Sequence, residues 1–301
     1  MERRDRHARR GGVDDMSAFL TYLLNGLAVG CAIALIASGL VVIHRVTGVV
    51  NFAQGTFAVV AGLCMSSLLG LGLPHGASEV AAVLAATVAG LLTGLAAIGK
   101  PGVTPLSSLI VTLGVGVLAY AVEIVLWGDQ PRSAPGLAGS VTVAGARIQT
   151  QYLLVIAVTA LTFVALALFF GRTYLGKALT ACASNPYAAR VVGIDVRRMG
   201  LLAFALGGLL GGIAGVLVTP MRPISFDTDV TLIVNAFAAA VFGALTRPVV
   251  TLAGALVLGV AETMAAGYGY GSHQLEIALG LMIVVMIVQA SRRTAISQES
   301  T

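Results

Sequence analysis

The run SAFLTYLLNGLAVGCAIALIASGLVVIH, residues 17–44, carries no Asp, Glu, Lys or Arg over 28 positions. As a helix it outreaches the ~30 Å hydrocarbon core of a bilayer, and it lacks the polar–apolar alternation of a half-buried strand. It therefore reads as a membrane-crossing helix, and the chain is read outward from it. Eight further apolar segments follow, at about 50–72, 77–99, 104–127, 150–170, 199–219, 229–246, 248–270 and 273–290, parted by breakers such as Leu73-Pro74-His75-Gly76 and Lys100-Pro101-Gly102. Across the 301 residues 57% are hydrophobic and 10% charged, against about 25% charged in a soluble domain, which excludes a soluble protein. Segments about twice the length of a barrel strand exclude a β-barrel. The expected fold is an all-α integral membrane protein, a polytopic bundle of about 8–9 transmembrane helices with a cytoplasmic helical loop. Residues 1–16 are expected to be an Arg-rich disordered extension, 17–290 a single transmembrane domain, and 291–301 a polar tail.

Lys and Arg in short loops stay preferentially in the cytoplasm. Residues 171–198 hold Arg172, Lys177, Arg190, Arg197 and Arg198 against the single acid Asp195, so this loop is placed inside. Counting outward puts Arg45, Lys100, Arg247 and Arg292-Arg293 inside, and Glu79, Asp129, Asp227 and Asp229 outside. Nine spans then leave the Arg-rich N-terminus outside, against the rule. Two accounts stay open: Met16 is the start, or segment 229–246 is a re-entrant half-span. The basic start also resembles a secretory signal, but the 28-residue run lacks an Ala-x-Ala site and reads as a retained helix. Three scattered cysteines suggest no disulfide framework, and no folded basic surface supports nucleic-acid binding.

Within the spans small residues recur every fourth position: Gly26 and Gly30 in the first, Ala86, Gly90 and Gly94 in the third, Gly207, Gly211 and Gly215 in the sixth. Such faces let helices approach closely where lipid offers no hydrophobic drive, so a tight bundle is expected. No catalytic or metal motif is found, and no nucleophile–base pair. Gly94 to Lys100 has phosphate-loop spacing, but Pro101 replaces the Ser or Thr and the stretch follows an apolar helix, so ATP is expected on another chain. Glu123 and Glu262 are intramembrane carboxylates, functional candidates by default. No basic partner for them is evident away from the predicted helix ends. Asn51 and Gln54, three apart, suit either interhelical hydrogen bonds or a pore lining, and Asn235 allows the same two readings. In the basic loop, Arg172 to Ala183 reads as a short helix. Asn185 then caps a second one, with Pro186 in its first turn and Gly193 at its end. Such a compact projection suits docking on another protein.

Gly48-Val-Val-Asn51-Phe52-Ala53-Gln54-Gly55 resembles the Gly-x-x-Asn-Phe-Ala-x-Gly signature of permeases in branched-chain amino acid ABC importers. Arg172…Gly176…Ala181-Cys182…Asn185…Gly193-Ile194 is similar to that family's coupling loop, and Ala239 to Gly243, continuing to Glu262, to its late block. The resemblance implies that Arg172, Gly176, Ala181, Asn185, Gly193 and Ile194 dock on an ATPase. It places Asn51, Phe52 and Gly55 in the membrane signature, and these with Gln54, Asn235 and Glu262 are the candidates for the translocation path. It also implies a second, related permease in a heterodimer, two ATP-binding subunits that hold the ATP and magnesium, an extracytoplasmic substrate-binding protein, and a multi-pass place in a bacterial cell membrane. No cofactor, catalytic residue or metal is expected in this chain. Gln54 stands where a histidine is common, and Leu245-Thr246-Arg247-Pro248 replaces a glycine-richer turn. A urea or short-amide permease of the same family and, as a different class, a self-sufficient channel or secondary carrier are the alternatives.

Overall fold

The computed structural model describes residues 2–100, 102–143 and 146–299, with side chains described over 16–100, 102–142, 147–273 and 275–288. The expectations for the extension before Met16 and for the tail after 290 fall on side chains outside that set. The described residues form eleven α-helices: α1 (Glu2–Thr47), α2 (Gln54–Gly70), α3 (Ala77–Ile98), α4 (Pro105–Trp127), α5 (Thr150–Arg172), α6 (Tyr174–Ser184), α7 (Pro186–Val191), α8 (Val196–Val218), α9 (Thr228–Phe242), α10 (Pro248–Gly267) and α11 (Gln274–Glu299). Each of the nine apolar segments is a helix. Six are long and apolar enough to cross a bilayer, α1 doing so over Met16–Thr47, while α2, α9 and the apolar part of α11 are shorter. Between α4 and α5 the sequence hid a hairpin, β1 (Ser140–Val143) antiparallel to β2 (Ala146–Gln149), with Val141 opposite Ile148.

The small residues explain the packing. A Cβ placed on Gly26 would lie 2.7 Å from Val260 Cα, and one on Gly30 2.7 Å from Leu256 Cα, so α1 and α10 run backbone to backbone. Helix α8 carries two such faces. Gly207 and Gly211 meet Ile43 of α1 and Phe57 of α2, and Gly215 lies against the Ala58 carbonyl; Gly208 and Gly212 meet Ala86 and Gly90 of α3. Burial follows from this: the apolar window of α1 is 89% buried and that of α8 61%, but those of α4 and α5 only 11%. In a bilayer, association of this kind rests on close packing, for which glycine is suited.

The contacts also fix which chain ends share a side. Helix α1 is antiparallel to α8, with Thr47 near Gly200 and Ile43 near Gly207, and Ile98 of α3 reaches the same Gly200. Arg45, Lys100, Arg190 and Arg197 line one cavity, and Arg45, Thr180 and Pro248 another, so the basic loops gather at one end. At the opposite end His75, Glu79, Gly136 and Pro220 line one cavity, Tyr22 meets Tyr268 edge-on at 5.8 Å, and Arg132 and Ile224 exchange backbone hydrogen bonds at 2.8 Å. Basic and acidic loops are thus segregated as the charge count requires.

Helix α9 is one of the shorter apolar helices. It leaves the Ile224 end and finishes where Gly243 packs on Thr251 in the first turn of α10, at the basic end. Its 15 residues rise only about 22 Å, and Ile224 ahead of it is fully buried. The turn that follows places Ala244 (φ 50°) and Leu245 (φ 58°) in the left-handed region. The sequence comparison with a glycine-richer turn falls on this spot.

Candidate functional site

Three features meet the sequence candidates: a buried amide network, a knuckle at the basic end, and a cavity towards the opposite end.

The network arises because α2 starts late. Residues 48–53 are not helical, and Gln54 Nε2 donates to the Gly207 carbonyl at 2.9 Å, midway along α8. Irregular backbone at that depth needs partners from the protein itself. Asn51 Oδ1 accepts from Ala53 N at 3.1 Å, Asn51 Nδ2 donates to Gln54 Oε1 at 3.3 Å, and Thr112 of α4 accepts from Phe52 N at 3.2 Å. Asn51 and Gln54 are fully buried, and it is Gln54 that bonds across to another helix. Phe52 stacks on Phe237 at 6.2 Å, and a Cβ on Gly55 would overlap the Asp229 carbonyl. These four residues hold α2 against α8 and α9.

The knuckle is α6 and α7. Thr173 Oγ1 accepts from Gly176 N at 3.0 Å to start α6; Asn185 Oδ1 accepts from Tyr187 N and Ala188 N, both at 3.0 Å, to start α7 with Pro186 next. Gly193 ends it at φ 86°, a value that L side chains rarely adopt. A Cβ on Gly176 would overlap the Phe169 carbonyl, so this glycine lets α6 fold back on the end of α5. The inner face buries Leu179, Cys182 and Ala189 against Val42, Val46 and Ala203, with Ile194 at its edge. Burial pushes the Cys182 thiol up, opposed by the Arg190 charge. Ala181 is half-buried and Arg172 exposed. The outer face leaves Tyr174, Tyr187, Val191 and Val192 exposed, the first at 93%.

The cavity, about 200 Å³, lies between α1, α8, α9 and α10 and brings Asn235 and Glu262 together. Val29, Ile33, Ile36 and Leu232 form an apolar wall. Asn25 and Arg222 complete the polar side, and both escaped the sequence reading. Burial pulls the Arg222 guanidinium below its usual value, and the Glu262 charge opposes the shift. Arg222 stands just past the end of α8, so the expectation that no base sits near the carboxylates away from the helix ends holds, and its charge reaches Glu262 alone of the two. Arg222 could have been found as the base in Pro220-Met-Arg222-Pro-Ile-Ser-Phe-Asp227, a segment on the side where bases are scarce. Glu123, also buried, stands apart from this cavity.

Residues 22–290 match the model of the family described as branched-chain amino acid transport system, permease component. The high-affinity branched-chain amino acid transport system permease protein LivH of Salmonella typhimurium is 27% identical over 296 residues, covering 90% of this chain and 93% of its own. The corresponding BraD of Pseudomonas aeruginosa is 27% identical over 287 residues, with 89% and 93% covered. Among solved structures, PsaBC from Streptococcus pneumoniae in complex with Fab superposes with a TM-score of 0.50 at 15% identity, covering 88% of this chain and 90% of the other, a likeness of fold. With a family match over nearly the whole transmembrane region, this multi-pass membrane protein belongs to the permease components of branched-chain amino acid transport systems.

Proposed function

We propose that the chain is the gate of an ATP-driven importer of branched-chain amino acids in a bacterial cell membrane. A second, related permease completes the route, an extracytoplasmic protein delivers the substrate, and two separate subunits hold the ATP and magnesium. One observation carries the reading: the capped knuckle at the basic end turns Tyr174, Tyr187, Val191 and Val192 outward. Apolar side chains grouped on a charged loop mark a protein contact. Docked ATPases that close on ATP would move the knuckle, and its buried face against α1 and α8 would pass the motion to the rest of the bundle. Access then alternates between the two sides, a two-state equilibrium biased from both ends. The apolar wall formed by Ile33, Ile36 and Leu232 suits an aliphatic side chain and speaks against urea or a short amide.

Gly193→Pro tests the docking role. Proline cannot adopt φ 86° and has no N–H to replace the Gly193 N donation to the Arg190 carbonyl at 3.0 Å. The variant is expected to insert into the membrane while ATP hydrolysis is uncoupled from uptake. Wild-type uptake in proteoliposomes would refute the docking role.

A further inference from the structure

Three residues that line the cavity with Arg222 carry a buried acceptor oxygen without a partner among the described residues: Asn25 Oδ1 of α1, Asn235 Oδ1 of α9 and Glu262 Oε1 of α10. Leaving one buried acceptor unpaired costs about 1–3 kcal/mol, and the great majority of buried polar atoms in native proteins are paired. Three on three different helices, distant in sequence and on residues that line one cavity, point to a donor with several N–H groups. An ammonium has three, and no acceptor of its own. Glu262 supplies the negative charge that an ammonium needs. On the same cavity Arg222 offers a planar donor fork, the geometry that matches a carboxylate. The opposite wall is aliphatic. One acidic and one basic side chain facing a single small space fit a ligand that carries both charges, and they disfavour a simple cation, an anion or an uncharged amide.

We propose that this cavity is a transient subsite for a free zwitterionic α-amino acid. Asn25, Asn235 and Glu262 receive the ammonium, Arg222 receives the carboxylate, and Val29, Ile33, Ile36 and Leu232 take the side chain. The assignment rests on the permease reading and adds to it residues that recognise the charged groups common to all amino acids. Trapped water is the competing occupant: it satisfies the oxygens and gives no selectivity.

The test uses the complete importer, with both permeases, the ATPases and the binding protein, in proteoliposomes supplied with radiolabelled leucine. Glu262→Gln and Arg222→Gln, singly, are expected to lower leucine uptake by about tenfold or more, the loss of one charge-assisted contact. The double variant separates recognition from structure. If the two side chains only neutralise each other, removing both charges together restores uptake; if they hold the substrate, the double variant stays at least as poor as the worse single one. Restoration in the double variant, or wild-type uptake in both single variants, overturns the subsite. Should either charged-site variant fail to assemble, Asn25→Ala removes one acceptor without disturbing the charge pair, and a raised KM for leucine is expected; an unchanged KM overturns the subsite. A wild-type complex that takes up neither leucine nor any other α-amino acid would overturn the permease reading and the subsite with it. Wild-type uptake with insensitive variants removes the subsite alone.

Discussion

Ala244 and Leu245 hold left-handed backbone angles between α9 and α10, where an L side chain crowds the following carbonyl at a cost of about 1–2 kcal/mol. Glycine has no such penalty, although it gives the unfolded chain more freedom to lose. Ala244→Gly is therefore expected to stabilise the protein modestly, by about 1 kcal/mol or less, read as a raised melting temperature of the detergent-purified complex. A fall in melting temperature would show that the alanine methyl packs better than its backbone is strained. Residue types were easier to read from the sequence than residue partners. Asn51 and Gln54 declared a need for hydrogen bonds, but the acceptor that completes Gln54, the Gly207 carbonyl, lies 153 positions away and no local pattern points to it. Asn25 was hidden for the opposite reason: one amide in a long apolar run looks like a tolerated exception until it is found lining the same cavity as Glu262 with its oxygen buried and unpartnered.

At the scale of the element, the nine apolar segments were legible because bilayer thickness imposes a minimum length on a spanning helix, and the two knuckle helices because capping chemistry is local. The start of α2 was not. Its apolar residues begin before its helix does, and composition does not separate a buried irregular strand of chain from a helical turn. The small-residue faces were legible as faces, but the sequence did not say that those of α8 point to three different helices. That geometry makes a prediction for α1 and α10: a Cβ on Gly259 would overlap the Gly30 backbone, so Gly259→Leu must push the helices apart. Overpacking of this kind typically costs about 1–3 kcal/mol. The variant is expected to show a lower melting temperature and reduced recovery of intact complex, whereas Val257→Leu, on an exposed position of the same helix, should leave both unchanged.

For the whole molecule, the charges of the loops from Arg45 onward and the helix contacts agree on which chain ends share a side. Lys100, beside the knuckle, and Asp227, at the opposite end, are both exposed. Lys100→Cys is expected to react with a membrane-impermeant maleimide only in inverted vesicles, and Asp227→Cys only in intact cells. The reverse pattern would invert the topology and remove the docking face from the ATPases. Native Cys182 should give little background, because burial raises its thiol pKa and so lowers the thiolate fraction at neutral pH, and its side chain is 1% exposed. The central position of α1 bears on biogenesis. It leaves the ribosome before the helices that cover it, α8 and α10, which are translated some 150 residues or more later. Until they arrive, its bare glycine stripe and Asn25 face lipid or the insertion machinery. Long-range closure of this kind is slow, so the first helix is the part of the nascent chain most exposed to quality control and most dependent on a membrane chaperone.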